Sequence, residues 1–284
     1  MVATLIILVS ARNLYRAVPS RNSAVTKSFY TLWHMLLHRP TDSQSTERVS
    51  NDLNASSRYD EELVQDVKST LAACKVFVFL PIVWLCFTQL SSNLVTQASQ
   101  MQLHGIPNDF MQCLEQITVM VFLPVVDRIV TPLLAKRGIV LSPIRRIVIG
   151  FVFVGLGVSF AAIIQHLVYS APPCYRYPLA CPAAIADDGV VRPNRIHVAM
   201  QVPTYIFFGI GSILLNVACV EYAYVKSPAG LKSFVQALFL LTVAAGSALS
   251  MALVPVSKDP LLVWLFTGVA AATFSVALIM HRLL

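Results

Sequence analysis

Charge is scarce in this chain: 12% of its 284 residues are Asp, Glu, Lys or Arg, against about a quarter in an ordinary soluble domain. Strand-like alternation of apolar and polar residues is absent, and the apolar runs are about twice the length of a membrane barrel strand, which argues against a β-barrel. No CxxC pair or His/Cys cluster suggests a structural metal, and no cofactor is expected. A signal-peptide order is missing too. Residues 2–9 are apolar, but the positive charges Arg12 and Arg16 follow that run instead of preceding it.

What remains is hydrophobic. Fifty-six per cent of the residues are apolar and the mean hydropathy is +0.69. Long apolar stretches occupy residues 71–95, 110–134, 144–169, 198–224, 233–254 and 261–280. Each reaches or approaches the roughly 20 residues that an α-helix needs to cross about 30 Å of hydrocarbon. Lipid offers no partners for backbone N–H and C=O groups, so long spans must be helical. The expectation is an all-α, polytopic membrane protein with six transmembrane helices.

Residues 1–10 read as the remnant of a preceding transmembrane helix. Residues 11–70 read as a linker, with a Ser/Thr/Asn-rich middle over 41–57. Within it Phe29, Leu32, Trp33, Leu36 and Leu37 recur at helical spacing beside Lys27, His34 and His38, the pattern of an amphipathic helix lying on a membrane face. His34 and His38 have a metal-ligand spacing but lack a third ligand nearby, so they belong to that face. Residues 71–284 form the bundle.

Basic residues set the orientation. With the linker inside, the cytosolic side collects Arg12, Arg16, Arg21, Lys27, Arg39, Arg48, Arg58, Lys68, Lys75, Arg128, Lys136, Arg137, Arg145, Arg146, Lys226, Lys232 and Arg282, and the opposite side only Arg176, Arg192, Arg195 and Lys258. The linker and the C-terminus are therefore expected in the cytosol, and the net charge of +7 is topological and requires no nucleic acid. On that topology the Asn54 sequon is on the wrong side for glycosylation. Cys74, Cys86, Cys113 and Cys219 fall in spans and read as small buried hydrophobes. Cys174 and Cys181 lie in the proline-rich loop 170–196 on the oxidising side, where a loop-closing disulfide suits their spacing.

Ionisable and polar groups inside the spans are the functional candidates, because leaving a charge in lipid costs at least about 2.5 kcal/mol. They are Gln89, Ser91, Ser92, Asn93 and, just past the end of its span, Gln97; Gln112, Glu115 and, near the inner end, Asp127; Gln201, Ser212, Asn216 and, near the inner end, Glu221; and Gln236, Thr242 and Ser247. Polar groups on most spans point to a shared aqueous cavity. Glu115 stands about 9 Å into its span at about 1.5 Å per residue; it either faces that cavity or snorkels to the interface. The run Gly209-Ile210-Gly211-Ser212 could mimic an intramembrane serine nucleophile, but with no histidine in another membrane core, His166 being near the outer end of its span, it reads as close helix packing. An enzyme is not expected.

Phe79-Leu80-Pro81-Ile82-Val83-Trp84 with Gln89 and Gln97-Ala98, His104-Gly105-Ile106-Pro107-Asn108-Asp109 with Gln112, and Phe122-Leu123-Pro124 resemble the seventh and eighth helices of fungal proton-dependent oligopeptide transporters. Pro193-Asn194-Arg195-Ile196-His197-Val198, Gln201-Val202-Pro203-Thr204-Tyr205, Glu221-Tyr222-Ala223-Tyr224-Val225-Lys226-Ser227-Pro228 and Lys232-Ser233-Phe234-Val235 resemble the tenth and eleventh. That family belongs to the major facilitator superfamily, two six-helix halves around a central cavity. The resemblance implies that this chain supplies the linker and the C-terminal half.

It further implies proton-coupled transport of di- and tripeptides, in a multi-pass protein of the plasma membrane, with a separate N-terminal six-helix half as a partner. Glu115, Ser212, Asn93 and Gln89 become the substrate-binding candidates, and Glu221, Lys226 and Lys232 the structural or gating ones. One departure stands out. The family usually has a glutamate nine residues before that of Glu-Tyr-Ala-Tyr, where it meets the substrate's amino group; here that position is Ser212, while an eighth-helix position commonly asparagine or aspartate is Glu115. Either a carboxylate has moved across the cavity, or the chain is a non-transporting remnant or regulatory protein.

Overall fold

The computed structural model describes residues 70, 74–107, 110–138, 142–178, 180–185, 192–226 and 231–283. The expected helix remnant at 1–10, the linker with its amphipathic helix and His34/His38 pair, and the Asn54 sequon all lie outside the described residues. Six helices are long and apolar enough to cross a membrane: α1 (Cys74–Ser99), α2 (Phe110–Lys136), α3 (Pro143–Ser170), α4 (Val198–Tyr222), α5 (Lys232–Ala252) and α6 (Leu262–Leu283). They run alternately up and down. One end of the bundle carries the basic turns after α2 and α4, and the other carries the 170–197 and 253–261 connections.

The local sequence explains how these helices start and bend. Ser142 caps α3 by accepting a hydrogen bond from the Arg145 backbone, with Pro143 in the first turn, where its missing N–H costs nothing. Gly138 ends the α2 segment at φ +74°, a conformation that suits a residue without Cβ. Pro124 interrupts α2, and a π-helical turn follows at Val126–Val130; α4 has another at Ile213–Val217. The span α1 is broken at Ser92 (φ −118°, ψ −88°), which separates Leu80–Ser91 from Asn93–Ser99. The break, with no proline or glycine at it, has no signal in the sequence, and Gln97 lies within the helix.

Between helices in lipid no hydrophobic force acts as it does in water, so close van der Waals contact must hold the bundle. The glycines supply it. A Cβ on Gly246 of α5 would stand 2.3 Å from the Trp84 Cβ of α1, and one on Gly211 of α4 would stand 2.7 Å from a Val154 methyl of α3. Two packed layers result. Tyr205, Phe208, Leu94, Met101, Val158 and Phe266 fill the core toward the 170–197 connection. Phe151, Ile147, Leu215, Val235 and Met280 fill the core toward the basic turns.

The helices differ in how much of their surface this packing takes. Half of the most apolar window of α1, α3 and α4 is buried, but only 6% of that of α2. Cys113 follows from this: expected as a buried hydrophobe, it is exposed on α2, whereas Cys74, Cys86 and Cys219 are buried. Helical spacing alone could not distinguish a span inside the bundle from one on its flank.

Candidate functional site

Glu115 sits on α2 with its side chain buried, 5% exposed, at the rim of a pocket of about 370 Å³ shared with Phe87, Leu90, Gln112, Cys113 and Gln116. Its carboxylate accepts a hydrogen bond from the Gln116 amide. Among the described residues no basic side chain lies in that lining. The backbone of α2 is drawn in here by Gly209 of α4, whose added Cβ would meet Thr118 at 2.6 Å and the Glu115 carbonyl oxygen at 3.1 Å. Ser212 follows three residues later on α4 and does not line that pocket. Its hydroxyl accepts a hydrogen bond from Asn216 Nδ2 at 3.1 Å. The Gly209–Ser212 run does serve close packing.

Gln89 and Asn93 belong to a different group. Gln89 Nε2 donates to the Ser250 hydroxyl (3.3 Å) and to the Leu85 carbonyl (3.3 Å). Asn93 Nδ2 donates to Gln89 Oε1 (2.6 Å) and to the Ser257 hydroxyl (3.2 Å). Both tie α1 to α5 and the connection after it; neither lines the Glu115 pocket. The four substrate candidates thus form three separate hydrogen-bonded sets. Of the gating candidates, Glu221 is exposed, and Lys232 Nζ stands 4.1 Å over the Tyr224 ring as a cation–π contact. The Lys226 side chain lies outside what is described.

Beyond the α1 pairs lies a larger polar set, in which the expected span candidates Gln97 and Gln201 join Gln100, Gln165, Tyr169 and Asp259, four residues not singled out from the sequence. Gln97, Gln165 and Gln201 are fully buried and Gln100 nearly so, and they meet Asp259 and Tyr169 near the 253–261 connection. A single glutamine inside the most apolar span, Gln165 on α3, was the available signal. Nearby, Cys174 and Cys181 are joined by a disulfide. Asn194, fully buried, pins that loop to the end of α3 by donating to the Val168 carbonyl (2.7 Å) and accepting from the Cys174 N–H (3.2 Å). Among the described residues no group of three His, Cys, Asp or Glu side chains is placed to hold a metal.

The comparison with known proteins decides the lineage. The family model described as the POT family matches residues 1–271. The chain belongs to the POT family. Among its relatives, the peptide transporter PTR_A of Candidozyma auris is 39% identical over 95% of this chain and 44% of its own length. The peptide transporter PTR2 of Saccharomyces cerevisiae is 38% identical over 94% of this chain and 42% of its own length. Solved POT family transporters share the fold. One described as an auto-inhibited peptide transporter superposes with a TM-score of 0.67 at 22% identity over 80% of this chain and 43% of its own; another, PepTSo, gives 0.64 at 18% over 98% and 57%. The chain spans less than half the length of these fungal relatives. A transporter lineage rather than an enzyme stands, as does the six-helix C-terminal half.

Proposed function

We propose that this chain forms the C-terminal half of a proton-coupled di- and tripeptide transporter and that Glu115 receives the ammonium group of the peptide. The supporting observation is a buried carboxylate on a membrane helix, beside a pocket with no basic side chain in its lining. A carboxylate so placed is stabilised by an incoming cation through a charge-assisted hydrogen bond. Ser212, three residues beyond the Gly209 contact on α4, is assigned to the same cavity, outside the lining of that pocket. Gln89 and Asn93 act in it only if their bonds to Ser250 and Ser257 open. The basic ends face the cytosol, the membrane is the plasma membrane, and a six-helix N-terminal half completes the cavity and the proton path.

Uptake of a labelled dipeptide in cells lacking their own carrier tests this. A fusion of a family N-terminal half to this chain is expected to transport, and Glu115→Gln to abolish or strongly weaken uptake with membrane expression intact. Ser212→Glu added to it recovers part of the activity. Undiminished uptake by Glu115→Gln refutes the role of Glu115. A second reading, a remnant or regulatory protein that does not transport, draws support from Ser212 and predicts that no fusion transports.

A further inference from the structure

The buried amides near the 253–261 connection form a chain with a direction. Gln201 Nε2 on α4 donates to Gln97 Oε1 on α1 (2.7 Å). Gln97 Nε2 donates to Gln165 Oε1 on α3 (2.9 Å), and Gln165 Nε2 to Gln100 Oε1 just beyond α1 (2.8 Å). Gln100 Nε2 then donates to Asp259 Oδ2 (2.9 Å), whose other oxygen accepts from the Tyr169 hydroxyl of α3. Spare N–H groups are used on the way: Gln97 also donates to the Ala161 carbonyl (3.0 Å) and Gln201 to the Leu94 carbonyl (3.1 Å). At the far end Gln201 Oε1 is buried and, among the described residues, accepts no hydrogen bond.

An amide can point either way, since its oxygen and nitrogen ends are nearly the same size. A carboxylate cannot, because it offers only acceptors. Gln100 must therefore present its N–H to Asp259, which presents its oxygen to Gln165, and so on to Gln201. We propose that Asp259 sets the polarity of this relay, and that the relay fastens the adjoining ends of α1, α3 and α4 and the 253–261 connection into one unit. Asp259 acts on Gln97 and Gln201 without touching them. The orphaned Gln201 oxygen is what this polarity requires: a chain of donors aimed at a carboxylate must begin with an acceptor facing away.

The helix α2 stands outside the unit. Among the described residues its side-chain hydrogen bonds stay within α2: Gln116 to Glu115, Thr118 to the Leu114 carbonyl, Thr131 to the Val126 carbonyl.

Moving the carboxylate from one end of the relay to the other tests the proposal on the full chain in detergent, with the thermal unfolding midpoint as readout and no need for transport. Gln201→Glu alone puts acceptors at both ends and lowers the midpoint sharply. Adding Asp259→Asn, a residue that does not contact position 201, lets every amide turn over and recovers part of the loss. Recovery is partial because the Ala161 and Leu94 carbonyls lose their donors. If Gln201→Glu is as stable as the parent, or if Asp259→Asn deepens its loss, the relay is refuted. Should neither glutamate variant fold, Gln201→Met, Asp259→Asn and their double decide: a departure from additivity of about 2 °C or more supports the relay, and additivity overturns it.

Discussion

The spans α1 and α2 follow one another in the chain and have similar length and hydropathy, yet they are held in opposite ways. α1 is fastened by polar bonds along one stripe, Gln89, Asn93, Gln97 and, just beyond its end, Gln100, whose side chains meet partners on α3, α4, α5 and the 253–261 connection. α2 keeps its side-chain hydrogen bonds to itself and exposes Ile117, Met120, Val121 and Ile129. It packs mainly on α4, through the Gly209 contact. Polar residues in an apolar span therefore do not have one meaning. On α1 they are structural partners; on α2 Glu115 has, among the described residues, no side-chain bond to another helix.

The strongest way to break the contrast is at the seam of α1 with α5. Gly246→Val must push against Trp84 and the Pro81 carbonyl oxygen, the latter 2.8 Å from the position of a Cβ. Backbone cannot swing aside as a long side chain can, so the expected outcome is loss of monodisperse, folded protein, read by size-exclusion chromatography. Next comes Gln97→Leu. It strands a donor of Gln201 and an acceptor of Gln165 in a dry interior, at a cost of about 1–3 kcal/mol for each orphaned group, read as a lower unfolding midpoint.

Removing the disulfide with Cys174→Ser and Cys181→Ser is expected to cost about 2.5 kcal/mol at most, because the closed ring spans a separation of only 7 residues. A larger loss would mean that the loop does more than cap the bundle end. The smallest effect belongs to α2. Glu115→Gln is expected to leave the midpoint unchanged or raise it slightly, since no other helix bonds to that carboxylate, while abolishing uptake in the transport-competent fusion. A fall comparable with that of Gln97→Leu would erase the distinction between the two spans.

Several elements were legible beforehand. The six spans, their alternation and the close-packing role of Gly209 and Gly211 agree with what length, hydropathy and small-residue spacing imply. The intramembrane position of Glu115 was equally visible. Its separation from Gln89 and Asn93 was not, because residues that share a set of spans need not share a face. Gln165 was passed over although the same cost argument applies to it. Asp259 carries no local signal, since nothing near it in the chain shows that Tyr169 and Gln100 will meet it.

By itself the sequence determined that this chain crosses a membrane as helices, where those helices lie and which family they resemble. The physical reason is local: about 20 apolar residues in succession satisfy their own backbone and can do little else in lipid. Only the tertiary structure decided which polar side chains are consumed by the bundle and which remain available, that α2 sits on the flank with Cys113 exposed, and that a carboxylate between α5 and α6 orders amides on three other helices. Those outcomes depend on distances between residues remote in sequence, and neither hydropathy nor spacing along one helix contains them.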